Sequence, residues 1–205
     1  TNLNKTFGYI EGYYGNLLDW TSRKRIIKKM SSIGMNFYFY APKEDLFHRL
    51  KWRKNYTKTW RKNFKNFCSF ATSSDIKVIA GISPGLDFDY SSIKKNSRKF
   101  LSKDLEILIS KFDDLIEDGA NDIALLLDDT PGNFNDSFLK NEEGKIHAQL
   151  SNLISKKLNK NIFLVPRIYA DELIKENRFY LKNLSENLYK NTQIFYCGKY
   201  IVNNR

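Results

Sequence analysis

The chain has 205 residues, 34 Lys and Arg against 23 Asp and Glu, a formal charge of +11, and 15% aromatic residues. That length holds one domain with a sizeable core, and the apolar and aromatic content excludes a disordered chain. No apolar run is long enough to cross a bilayer, and Cys68 and Cys197 with His48 and His147 make neither a disulfide framework nor a zinc pattern. No metal or cofactor is expected. A basic balance admits nucleic acid as a partner, and the densest candidate is Arg49 to Arg61 with Trp52, Tyr56 and Trp60 interleaved. The same mixture at helical spacing also describes a solvated face over a buried aromatic stripe, and the lysines are spread along most of the chain. No nucleic-acid partner and no membrane partner are therefore expected. No leader segment is visible, although the chain opens on Thr1 and not on Met. A cytoplasmic location is favoured.

Phe7 to Glu11 reads as a first strand, followed by the loop Gly12-Tyr13-Tyr14-Gly15. The glycines at 8, 12 and 15 lack the dinucleotide-binding spacing, and two tyrosines crowd the place where pyrophosphate would need bare backbone. Ser22 to Ile33 is a predicted helix, with Thr21 as its cap and Gly34 as its stop. Asn36 to Ala41 is the second strand and runs into the charged loop Pro42-Lys43-Glu44-Asp45. A helix over 57–73 and a third strand, Ile76 to Ile82, follow, and Ser83-Pro84-Gly85 turns the chain. Leu101, Leu105, Leu108, Phe112 and Leu115 line the face of a helix over 98–118, closed by Gly119.

The fourth strand, Ile123 to Leu127, is an unbroken apolar run that suits a strand buried on both faces of a parallel sheet. Asp128 and Asp129 follow at once, and Pro131-Gly132 stops the run. The pair could merely begin a loop and cap the next helix. It would also stand at the carboxyl end of a buried strand, where α/β sheets and barrels keep their chemistry. A helix over 143–158, a strand Asn161 to Val165, a helix over 177–189 and a strand Gln193 to Cys197 complete the chain. The recurring strand, loop and helix argue a parallel sheet of right-handed β/α units. About six units are a full open sheet but only part of a (β/α)8 barrel, whose usual length is ~250 residues.

Polar residues gather after strand ends: Glu11, Lys43 to Asp45, Asp87 with Asp89, Asp128 with Asp129, and Tyr169. Each alone has a structural explanation, such as an ion pair or packing. On one sheet edge they would line one cleft, and acids, a lysine and tyrosines suit a sugar. A glycosidase normally needs two carboxyl groups. Close carboxylates divide the labour, because ionisation of one raises the proton affinity of the other. Adjacent residues of a regular strand point to opposite faces, so both acids serve one sugar only if the strand has ended or bulged there.

The segments Gly8-Tyr9-Ile10-Glu11-Gly12-Tyr13-Tyr14-Gly15, Tyr40-Ala41-Pro42-Lys43-Glu44-Asp45, His48-Arg49, Trp52-Arg53, Ile82-Ser83-Pro84-Gly85-Leu86-Asp87 and Leu126-Leu127-Asp128-Asp129 follow in order. Together they resemble the catalytic domain of the family 84 glycoside hydrolases, the O-GlcNAcase and hyaluronidase-like β-N-acetylglucosaminidases. The resemblance implies one catalytic domain over 1–205, a (β/α)8 TIM-type barrel that is C-terminally incomplete. It implies a retaining hydrolase of terminal N-acetylglucosamine in which the substrate's own acetamido oxygen forms an oxazoline. By that likeness Asp128 orients the acetamido group, Asp129 is the acid and then the base, and Gly8, Lys43 and Tyr169 contact the sugar. The implied partner is a glycan or glycoprotein carrying N-acetylglucosamine, with a second copy or a further C-terminal segment completing the barrel. A carbohydrate-binding relative without catalysis is the alternative. The chain departs from the family pattern at Arg167 and Ile168, just before Tyr169, and at Tyr196-Cys197-Gly198.

Overall fold

The computed structural model describes residues 6–90, 93, 102–130, 132 and 137–202. Six strands, β1 (Gly8–Glu11), β2 (Phe37–Tyr40), β3 (Lys77–Ile82), β4 (Asp122–Leu126), β5 (Phe163–Val165) and β6 (Gln193–Ile194), lie in chain order in one sheet. The pairings of β1 with β2, β2 with β3, β4 with β5 and β5 with β6 are all parallel. The helices are α1 (Trp20–Ser32), α2 (Lys58–Thr72), α3 (Lys103–Glu117), α4 (Ser137–Leu158) and α5 (Tyr180–Asn187), with a 3₁₀ segment over Asp171–Glu176. The fold is α/β. Its strand order is that of consecutive units of a (β/α)8 barrel and not a doubly wound order.

The chain divides into two compact units, Thr1–Ile82 with Lys111–Ile123, and Ser83–Ser110 with Ala124–Arg205. In the first, β1, β2 and β3 pair in register through Gly8, Phe37 and Lys77. Ile27 and Met30 of α1 and Phe64, Phe67, Cys68 and Ala71 of α2 are buried with Tyr38, Phe39 and Tyr40 of β2. The α1 cap is Asp19, not Thr21: its Oδ1 accepts the Ser22 N–H at 2.6 Å. Helix formation starts earlier because Trp20 joins an aromatic cluster, lying parallel to Tyr40 and edge-on to Trp60 and Phe64. Thr57 caps α2, accepting from Trp60 N–H at 3.1 Å.

In the second unit, α4 begins at Ser137, ahead of the boundary expected at 143. Leu150 and Ile154 of α4, Leu164 of β5 and Tyr180 and Leu184 of α5 are buried. Gly144 lies inside α4 where a Cβ would meet the Tyr180 carbonyl oxygen at 2.1 Å, so glycine permits the close approach of α5. The expected final strand is shorter in regular form, but Phe195 N–H to Leu164 O at 2.9 Å and Cys197 N–H to Tyr169 O at 2.8 Å extend its pairing. Residues 98–101 of the expected third helix, and Pro131 of the expected turn, lie outside the described residues.

Candidate active site

The second unit holds the acid pair. Regular pairing of β4 ends at Leu126, and Leu127 N–H still bonds Val165 O at 2.9 Å. The chain then turns at Asp128 and Asp129, and Thr130 Oγ1 closes the turn by donating to Leu127 O at 2.8 Å. Asp129 has φ 54°, the left-handed conformation that Asp tolerates better than most residues. The strand has thus ended where the sequence required it to end, and the alternation of faces no longer separates the two carboxylates. Asp128 is buried and Asp129 half-buried.

Tyr169, four residues beyond β5, donates its hydroxyl to Asp129 Oδ1 at 2.7 Å. Burial pushes the Tyr169 phenol well above its usual range, the Asp129 hydrogen bond adds to this, and the charges of Asp129 and Asp128 add further. The hydroxyl therefore stays a donor. Partial desolvation, with the same two carboxylates, also raises the thiol of Cys197, although that residue is exposed. Cys197 thus belongs to the electrostatic surroundings of the acid pair. By sequence it is only a departure from the family pattern. Gly85, in the turn after β3, lies where a Cβ would come within 2.7 Å of Thr130 Cγ2, which ties that turn to the acid turn.

The first unit holds the other two residues. Lys43 is buried three residues beyond the carboxyl end of β2. Its loop is anchored by Asp45, which accepts from Tyr40 Oη at 2.6 Å, Trp60 Nε1 at 3.1 Å and Phe47 N–H at 2.9 Å. His48 Nδ1 lies 2.7 Å from Gly81 O. Lys111 Nζ donates to Phe47 O at 2.6 Å and Lys54 O at 2.8 Å. Gly8 is placed differently. It opens β1, at the opposite end of the paired strands from Lys43, and a Cβ there would meet Phe37 O at 2.3 Å. Its small size is explained by packing against β2. Gly12 is the glycine that follows the carboxyl end of β1.

The basic stretch resolves into structure. Trp52 and Tyr56 are buried, and Arg61 bonds Asp114 at 2.7 Å and Asp118 at 2.6 Å. Glu11, another acid of the strand ends, is clasped by Arg23. Among the described residues no group of three His, Cys, Asp or Glu is placed to hold a metal ion, and no helix is long and apolar enough to cross a membrane.

The family model for beta-N-acetylglucosaminidase matches residues 7–205. The chain belongs to that family. Among curated beta-N-acetylglucosaminidase relatives, the Protein O-GlcNAcase of Mus musculus is 28% identical over 202 residues, 95% of this chain and 21% of its own length. The Protein O-GlcNAcase of Rattus norvegicus is 31% identical over 144 residues, 70% of this chain and 15% of its own length. The chain therefore spans about a fifth of these relatives or less. A solved structure of a mutant O-GlcNAc hydrolase from Thermobaculum terrenum superposes with a TM-score of 0.83 at 28% identity, over 96% of this chain and 42% of that one. Against the family pattern, Arg167 and Ile168 are both buried, and Cys197 stands beside the acid pair.

Proposed function

We propose that this chain supplies the acid pair of a retaining β-N-acetylglucosaminidase that acts on N-acetylglucosamine linked to a glycan or glycoprotein. The observation that carries the reading is the Asp128-Asp129 turn at the end of β4, with Asp129 in the left-handed conformation and bonded to Tyr169. Family membership and the names of the relatives support it.

The chemistry follows from the pair. Asp128, as the carboxylate, accepts the acetamido N–H of the bound sugar and makes the acetamido oxygen a better nucleophile. That oxygen attacks the anomeric carbon as the bond to the aglycone oxygen breaks. Asp129 gives its proton to the departing oxygen. The acetamido N–H proton passes to Asp128, and the product is a neutral oxazoline. Asp129, now a carboxylate, takes a proton from water as that water attacks the anomeric carbon and opens the ring, while Asp128 returns its proton to the acetamido nitrogen. Two inversions give retention. Lys43 and Tyr169 would contact the sugar, and Tyr169 exchanges its bond to Asp129 for the sugar as the site fills.

The test is Asp129→Asn, chosen because Asn also accepts a left-handed backbone. Hydrolysis of a glycoside with a poor leaving group should be abolished, and hydrolysis of an activated aryl glycoside much less affected. Equal loss on both substrates would remove Asp129 from the acid role. A wild-type protein that binds a thiazoline mimic of the intermediate yet hydrolyses neither substrate would be the carbohydrate-binding alternative.

A further inference from the structure

Arg167 stands two residues before Tyr169, and the structure surrounds it with partners out of proportion to a loop position. Its guanidinium forks onto Glu143 of α4, Nε to Oε1 at 2.8 Å and Nη2 to Oε2 at 2.7 Å. Nη1 reaches Glu176 Oε2 at 2.8 Å. Arg167 and Glu143 are 5% and 1% exposed, so the pair is inside the unit. The Arg167 backbone is held as well. Its N–H donates to Tyr180 Oη at 3.0 Å. That hydroxyl has one proton of its own, and His147 Nδ1 lies 2.9 Å away to accept it. His147 is then the neutral tautomer with its proton on Nε2. Burial favours that neutral form, lowering the imidazole to about 4 against the charge of Glu143.

A buried ion pair is a poor source of stability, because desolvating both charges offsets most of their attraction. A bidentate fork does fix direction. Here the fork fixes the side chain of Arg167 and the Tyr180 hydroxyl its peptide, while Ile168 and Ala170, on either side of Tyr169, are fully buried. The tyrosine between them is left half-buried, with its hydroxyl on Asp129.

We propose that Arg167 is a positioning residue: the Glu143 fork and the Tyr180 hydroxyl set the segment that carries Tyr169, and so place its hydroxyl against Asp129. The inference rests on Asp129 being the acid. Its test separates the two ideas. Arg167→Ala and Tyr180→Phe are each made alone and with Tyr169→Phe. Turnover of a glycoside with a poor leaving group should fall roughly tenfold in the single variants. In the Tyr169→Phe background the same changes should alter kcat by less than about twofold, because the tyrosine through which they act is gone. Equal losses in both backgrounds, or no loss in folded single variants, would overturn the proposal. Tyr180→Phe removes only one hydroxyl and decides the matter if Arg167→Ala does not fold. Crystal structures give a reading free of activity. The Tyr169 Oη to Asp129 Oδ1 contact should open beyond hydrogen-bond range in the variants, and its survival at wild-type length would refute the positioning role. An inactive wild type would defeat the hydrolase reading and leave this structural arm intact.

Discussion

Arg23 clasps Glu11 inside the first unit: Nε lies 2.9 Å from Oε2 and Nη2 lies 2.8 Å from Oε1. Tyr38 adds its hydroxyl to Oε2 at 2.6 Å, and the guanidinium sits over the Trp20 and Tyr40 rings. The fork joins α1 to the end of β1 and so sets where the following loop departs.

Arg23→Ala would strand the Glu11 carboxylate in a buried site. Removing one partner of a buried pair costs about 3–5 kcal/mol, against a domain stability of about 5–15 kcal/mol. The urea midpoint should fall accordingly. Arg23→Met with Glu11→Leu should recover much of the loss, because packed apolar groups need no partner. A double variant no more stable than Arg23→Ala would show that the pair contributes more than it costs.

Stability should fall with acid below neutrality through the two histidines. Burial lowers both imidazoles to about 4; Asp45 and the Gly81 carbonyl oppose it at His48, and Glu143 at His147. An unfolded histidine titrates near 6.5, so the unfolded chain takes up protons first as pH drops. Their contribution is full above about pH 6.5 and shrinks down to about pH 4, where the folded imidazoles also protonate. The loss is of the order of a few kcal/mol. Histidine NMR titration is the check: either ring titrating at 6.5 in the folded protein would contradict its buried neutral state.

Asp128→Asn should slow poor and activated leaving groups alike, since Asp128 acts on the internal nucleophile and not on the departing oxygen. A thiazoline mimic of the intermediate should also bind less tightly. Unchanged affinity for that inhibitor would count against the assigned role.

The six strands were legible because each is an apolar run closed by a polar residue, a proline or a glycine. Asp128 and Asp129 were legible for the same reason: nothing else follows the most buried run. What was hidden shares one physical cause. Hydrophobic periodicity assigns polar residues to solvent, yet Glu143 and His147 of α4 are buried in the Arg167 network. With Gly144 between them they weaken the apolar pattern of a helix that begins at Ser137, ahead of the expected 143. Asp45 likewise belongs by sequence to a charged loop, and it is buried, as is His48 nearby. The bond between Tyr169 and Asp129 spans 40 residues of sequence and leaves no local signal. Gly8 is expected at the sugar by the resemblance alone. The register of β1 against β2 places Gly8 opposite Phe37, at the start of the strand.

The chain-order sheet also bears on how this protein reaches its fold. In each of these pairings a strand meets the next strand along the chain, about 30 to 40 residues away, so none of them joins distant segments. Closing a loop of that size costs on the order of 3 kcal/mol in chain entropy. Each closure is met by one strand ladder and one helix packed over it. Assembly can therefore advance by successive short closures, and a chain of this length is expected to pass through partly built species. Their unpaired leading strand would be the surface most exposed to capture by another chain. Rapid dilution from denaturant at high protein concentration should lower the yield of native protein for that reason.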